Sequence, residues 1–248
     1  MNKNRRELLV GISLAGAGAL LVGCRGRSTQ TGTANEPTAG ELGPAEVTAT
    51  EDLMREHGVL RRALLVYREA ATRLRQDPDS VPPDVLEKTA QLFRVFGEDY
   101  HEKKLEEAYV LPLIRKFRNP AEAYVDVLMA QHARGREITD YILSVTKGDR
   151  FSSDTTPALV TALESFARMY DSHAAIEDTI VFPAWKSSLG ESELDEFGAK
   201  FEEIEAEHFG ADHGFESAVT RMHEIEASMG LTDLATFTAP APPPARAR

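Results

Sequence analysis

The pattern Leu-Met-x-x-His occurs twice in this chain, at Leu53–His57 and at Leu128–His132. Each copy is followed, roughly forty residues later, by a histidine, an acidic pair and a proline. In the first copy these fall in YHEKKLEEAYVLP, residues 100–112, and in the second in SHAAIEDTIVFP, residues 172–183. Glu106 lies six residues before Pro112, and Glu177 lies six before Pro183. Repetition of this kind constrains the fold strongly. The domain reads as two helix pairs of one design, each supplying His…His…Glu.

The segments between these landmarks have a helical period. Leu53, His57, Leu60, Leu64 and Tyr67 recur at steps of three and four, which places them on one helix face. DPDSVPP ends that helix, and Pro83-Asp84 opens a second that runs to about Phe117. Asn119-Pro120 predicts the cap and first-turn proline of a third helix, closed by Lys147-Gly148-Asp149. Thr156-Pro157 starts a fourth, running to about Trp185. No alternating strand pattern of useful length is present. The expected fold is all-α, an up-down-up-down four-helix bundle over residues 47–188. One or two short helices follow over 189–230, and then a Pro-rich disordered tail at 231–248.

The N-terminus reads as an export signal over residues 1–23. Lys3, Arg5 and Arg6 form a basic region, and Leu8–Val22 an apolar stretch too short for a comfortable membrane span of about 20 residues. Arg5-Arg6 resembles a twin-arginine signal. Leu21-Val22-Gly23-Cys24 resembles a lipobox that would leave Cys24 as a lipidated N-terminus. A plain signal peptide with a chance cysteine is the alternative. Cys24 is the one cysteine of 248 residues, which excludes an intramolecular disulfide and a thiolate metal cluster. Residues 24–46 are small and polar and read as a flexible tether.

The formal charge is −12; losing residues 1–23, with three basic groups and one acid, would make it −14. Such a surface repels nucleic acid and anionic lipid headgroups, so nucleic acid is excluded as a partner. The expected location is outside the cytoplasm, on a membrane reached through the lipid on Cys24 and facing the periplasm or cell exterior.

A single histidine on an apolar helix face is usually a hydrogen-bonded core residue. Here each of four helices carries one: His57, His101, His132 and His173. His173 and Glu177, four apart, share a helix face. Four imidazoles and two carboxylates are expensive to bury unpaired, and metal ions relieve that cost. Mixed imidazole and carboxylate donors suit iron, manganese or zinc, and iron or manganese where carboxylates bridge two ions.

With these residues in view, the chain resembles the hemerythrin-like, or HHE cation-binding, domain over roughly residues 50–186. The resemblance implies a left-twisted antiparallel four-helix bundle holding two non-haem irons, bridged by two carboxylates and an oxo or hydroxo group. By position, His57, His101, His132 and His173 would be terminal ligands, Glu177 one bridging carboxylate and Glu106 the other.

Two departures from the family pattern stand out. His101 and Glu106 are five apart, with Leu105 at the expected ligand position. On a regular α-helix five residues leave Glu106 about 140° from His101. Either a π-bulge restores the face or Glu102 supplies the carboxylate, and the count back from Pro112 favours Glu106. Second, Arg136 stands where oxygen-carrying hemerythrins have a further histidine. One nitrogen ligand fewer implies an open site. It favours redox chemistry with oxygen, peroxide or nitric oxide, or iron handling, over reversible oxygen carriage; the electron partner is not legible.

Tyr100 and Tyr170, beside ligand histidines, are candidates for a phenolate ligand, for a donor to the ligand shell, or for plain core. Met54 and Met129 read as packing that fixes a histidine rotamer. His208, His213 and His223, with Glu203, Glu207 and Asp212, read as a solvated helical face and turn. The competing function is a metal-free helical-bundle lipoprotein that acts as a structural or partner-binding module in the cell envelope. Single-zinc hydrolysis lacks its expected His-Glu-x-x-His motif.

Overall fold

A computed structural model describes residues 47–210 and 214–243. The expected signal at 1–23, Cys24, the expected tether to residue 46, and Asp212 and His213 lie outside the described residues. Among the described residues there are six helices and no strand.

Helix α1 (Ala49–Gln76) starts at a capping box. Glu51 N–H donates to the Thr48 hydroxyl at 3.4 Å, and Thr48 N–H donates to the Glu51 carboxylate at 2.8 Å, satisfying two otherwise orphaned amides. Helix α2 runs through three stretches, an α-helical Pro83–Leu92, a π-helical Phe93–Val110 and an α-helical Leu111–Lys116. Helix α3 is Glu122–Val145. Helix α4 is α-helical over Thr156–Ile176, π-helical over Glu177–Val181 and α-helical again over Phe182–Ser187. Each of α1–α4 packs on its neighbours in a closed ring, with α1 most extensively against α4. Sequential helices joined by short turns make this an up-down-up-down bundle.

The third helix begins later than its Asn-Pro signal suggests. Asn119 caps a preceding turn instead, its side-chain oxygen accepting from Ala121 N–H at 3.0 Å, and the helix starts at Glu122. Asparagine readily holds its own backbone two residues on, and here that local turn wins over helix initiation.

The two π stretches end alike. Leu111 N–H donates to the Glu106 carbonyl and Phe182 N–H to the Glu177 carbonyl, each five residues back. The next residue is Pro112 in one case and Pro183 in the other. Proline has no N–H to give, and its ring strikes the carbonyl four residues earlier in a regular α-helix. A turn widened by one residue relieves the clash. The six-residue Glu-to-Pro spacing is therefore a backbone signal as well as a ligand signal. In α2 the wider turns also bring residues five apart, His101 and Glu106, onto one face.

Helices α5 (Glu191–Phe209) and α6 (Gly214–Ser228) fold back on the bundle. Trp185, fully buried, stacks on Phe201 with ring centroids 5.9 Å apart. Arg62 of α1 donates to both oxygens of Glu226, at 2.8 and 2.6 Å, and the Arg55 guanidinium sits 4.4 Å from the centre of the Phe215 ring. His208, expected on a solvated face, is half-buried and stacks on Tyr100 at 5.8 Å; His223 is exposed as expected. A turn of 3-10 helix, Leu234–Phe237, follows. No described helix is long and apolar enough to cross a membrane.

The forked Arg62–Glu226 pair is the main polar tie between α6 and the bundle. Glu226→Ala should cost about 1–2 kcal/mol, since Arg62 keeps access to water. Hydrogen exchange should accelerate in Gly214–Ser228 while α1–α4 stay protected; uniform acceleration would instead make α6 part of one cooperative unit with the bundle.

Candidate metal centre

The six residues singled out from the sequence meet in the middle of the bundle. Each is between 0% and 3% exposed. The Nε2 atoms of the histidines and the oxygens of Glu106 and Glu177 converge. Glu106 is the pivot. Its Oε1 lies 3.2 Å from His101 Nε2 and 3.9 Å from His57 Nε2, while its Oε2 lies 3.3 Å from His132 Nε2. Glu177 Oε2 lies 3.0 Å from His173 Nε2 and 3.4 Å from His57 Nε2. His132 and His173 bring their Nε2 atoms within 3.1 Å. Among the described residues three groups could hold a metal ion: His57–His101–Glu106 and Glu106–His132–His173–Glu177, which share Glu106, and Glu102–Glu107–His132.

The donor atoms fit metal ions. His101 Nε2 and all four oxygens of Glu106 and Glu177 are buried without a hydrogen-bond partner. Five polar atoms aimed at one another in a dry core are unusual, because buried polar groups are nearly always paired. Their spacing of 3.0–3.4 Å matches neighbouring ligands around an ion held at about 2.1 Å.

Glu102, the alternative carboxylate, is engaged elsewhere. It accepts from the Tyr170 hydroxyl and, at 3.0 Å, from Arg136 Nη1. Tyr170 reaches it because residue 135 is glycine: a Cβ there would sit 2.5 Å from the Tyr170 oxygen. Tyr100 likewise donates to a carboxylate, Glu56, at 3.1 Å. Both tyrosines are thus donors to acids around the site. Met54 and Met129 are partly buried and pack against the core, as expected.

Each histidine has its other nitrogen held from behind. His101 Nδ1 donates to Glu56 at 2.7 Å, His57 Nδ1 to Asp178 at 2.7 Å, His132 Nδ1 to Glu107 at 3.0 Å and His173 Nδ1 to Gln131 at 3.0 Å. An acceptor at Nδ1 fixes the tautomer and leaves the Nε2 lone pair facing inward. Arg61 pairs with Asp178 and Arg136 with Glu107, so the outer acids are themselves restrained. Sequence reasoning missed these four acceptors, although a signal was present. Each is the chain neighbour of an inner residue: Glu56 of His57, Glu107 of Glu106, Gln131 of His132 and Asp178 of Glu177.

The charges hold one another in place. Burial works against charge on His101, but Glu106 and Glu56 outweigh it and hold its pKa well above the ordinary value of 6.5. For His132, burial is likewise outweighed, by Glu102, Glu106 and Glu107. Burial would lift Glu106, yet His101 and His132 keep it well below the ordinary 4.5. Burial lifts Glu102 despite its hydrogen bond from Tyr170.

The family model of the hemerythrin HHE cation-binding domain matches residues 48–185 of this chain. Relatives include uncharacterized proteins of Mycobacterium tuberculosis and Mycobacterium bovis. Each is 40% identical over 236 residues, spanning 94% of this chain and 90% of the relative. No solved structure matches the chain.

The charge pattern sets a pH window for the metal-free protein. His101 and His132 have folded pKa values above 6.5, so their contribution is complete below that pH and is lost as pH rises through the raised values. Glu106, held below 4.5, contributes above that pH and loses its contribution on acidification. Stability without metal should peak between about pH 4.5 and 6.5 and fall by alkaline pH. Denaturant titrations across pH, with chelator, measure this; a flat profile up to about pH 9 would mean the imidazoles are neutral in the fold.

Proposed function

The chain belongs to the hemerythrin HHE cation-binding family, and from that premise we propose that it holds two non-haem irons at the centre of its bundle. The observation that carries this reading is the disposition of Glu106, with one oxygen toward His57 and His101 and the other toward His132. His57 and His101 would hold one ion and His132 and His173 the other, with Glu106 and Glu177 shared between them. A carboxylate shared between two ions favours iron or manganese over zinc. When bound, the metal pair supplies one-electron redox capacity and positions for a small ligand.

The chain's own residues define what can react there. Burial of every inner residue favours small reactants, of diatomic or peroxide size, over bulky ones. Arg136, where oxygen carriers of the family have a histidine, is tied to Glu102 and Glu107 and adds no nitrogen donor. The Tyr170 hydroxyl keeps a proton on hand at Glu102 Oε1. This set suits redox reaction with oxygen, peroxide or nitric oxide, or iron handling, more than reversible oxygen carriage. We further propose export through the twin-arginine-like signal and anchoring by a lipid on Cys24. An export route that moves folded proteins fits a site whose ligands come together only in the folded bundle.

Metal analysis and an optical spectrum of the purified chain test the first proposal. The expected result is about two irons per chain with a near-ultraviolet charge-transfer band after oxidation. One zinc, or a stable protein with no metal, would overturn it in favour of the envelope module. For anchoring, Cys24→Ala should move the protein from the membrane fraction to the soluble fraction; unchanged partitioning would remove the lipid from the account.

A further inference from the structure

The two helix pairs share a matched pattern of contacts that extends beyond the inner ligands. The residue before the first histidine of each pair holds the second histidine of the same pair: Glu56 serves His101, and Gln131 serves His173. The acid after each inner glutamate crosses to the other pair: Glu107 serves His132, and Asp178 serves His57. The arginine four residues after each first histidine, Arg61 or Arg136, ties down that crossing acid. Among these supports the relation breaks in the chemistry of one matched position, where Glu56 faces an imidazole in one half and Gln131 in the other.

That single difference has electrical weight. Glu56 is fully buried, and its hydrogen bond to His101 is short, at 2.7 Å. Gln131 is half-buried and neutral, and its bond to His173 is 3.0 Å. An anionic acceptor draws the Nδ1 proton toward itself and makes Nε2 a stronger donor; an amide does this weakly. The effect is larger in a dry surrounding than in a wet one. Glu102 adds a carboxylate near His132, but its oxygens are taken up by Tyr170 and Arg136 and neither bonds an imidazole.

We infer that the two metal positions are inequivalent, and that the position at His57 and His101 binds its ion first because Glu56, acting as a positioning residue, holds His101 where Gln131 holds His173. This rests on the two-metal reading above. Its consequence is a half-loaded species with one defined occupant, not a mixture.

The test is an anaerobic calorimetric titration of the full metal-free chain with Fe2+, with Mössbauer spectra of half-loaded samples. In the parent chain two binding steps separate by about 10- to 100-fold in affinity, the usual effect of one outer hydrogen-bond partner. Glu56→Gln weakens the first step and merges the two. Gln131→Glu strengthens the second and also merges them. Carrying both changes restores two separated steps, with the half-loaded spectrum now that of the other position. A purely structural role for Glu56 would not give that recovery. Two irons bound in steps that neither substitution alters would overturn the inference and leave the metal reading standing. Fewer than two irons in the parent chain would overturn the metal reading and this inference with it.

Discussion

Two glutamates and four histidines share a space buried from bulk solvent, and the rest of the molecule is arranged around that fact. A single buried charge costs several kcal/mol even after relaxation, and an unpaired one destabilises a fold by about 3–5 kcal/mol. The bundle meets this by alternating signs. Glu106 sits among His57, His101 and His132, and Glu177 between His57 and His173. Outside them stand Glu56, Glu107 and Asp178, and outside two of those stand Arg61 and Arg136. Shells of opposite charge let an ionic core exist within an otherwise apolar bundle. They also leave five buried inward atoms without a hydrogen-bond partner from the protein.

Backbone geometry serves the same end. Proline near the end of α2 and of α4 imposes a wider turn just after each inner glutamate. The fixed ring does with steric exclusion what a hydrogen bond could do only by competing with water. The C-terminal pair lies beyond the matched family region but reaches the outer shell: Phe209 packs edge-on against Tyr100 at 5.0 Å, and Tyr100 holds Glu56. A change in α5 can therefore be felt at His101 through two intervening side chains.

Much of this was legible before any coordinates. The Leu-Met-x-x-His repeat, the Glu-to-Pro spacing and helical periodicity located the bundle and its six inner residues, because ligands on neighbouring helices must share a face with the core and that face has a readable period. The six-residue count back from Pro112 favoured Glu106 over Glu102, although a regular α-helix would have turned Glu106 away from His101. What a periodicity count does not show is that the helix around His101 is π-wound, which brings residues five apart onto one face. The outer acceptors were missed for a different reason. Glu56 and Gln131 read as polar residues flanking a ligand, and nothing in a linear sequence says which helix they face. His208 was misplaced because its partner, Tyr100, is a hundred residues away.

The matched contacts of the two helix pairs also bear on how such a chain could arise. One hairpin, α1 with α2, contains a complete set of parts: two imidazoles, one inner carboxylate, one acceptor used within the hairpin and one offered outward. Two identical hairpins across a symmetry axis would close the whole site, each lending its spare acid to the other, as an isologous dimer does. Joining them in one chain removes the requirement that both halves stay alike. Positions 56 and 131 differ in this chain, a carboxylate behind His101 and an amide behind His173, so the two halves of the cluster do not present the same outer acceptor.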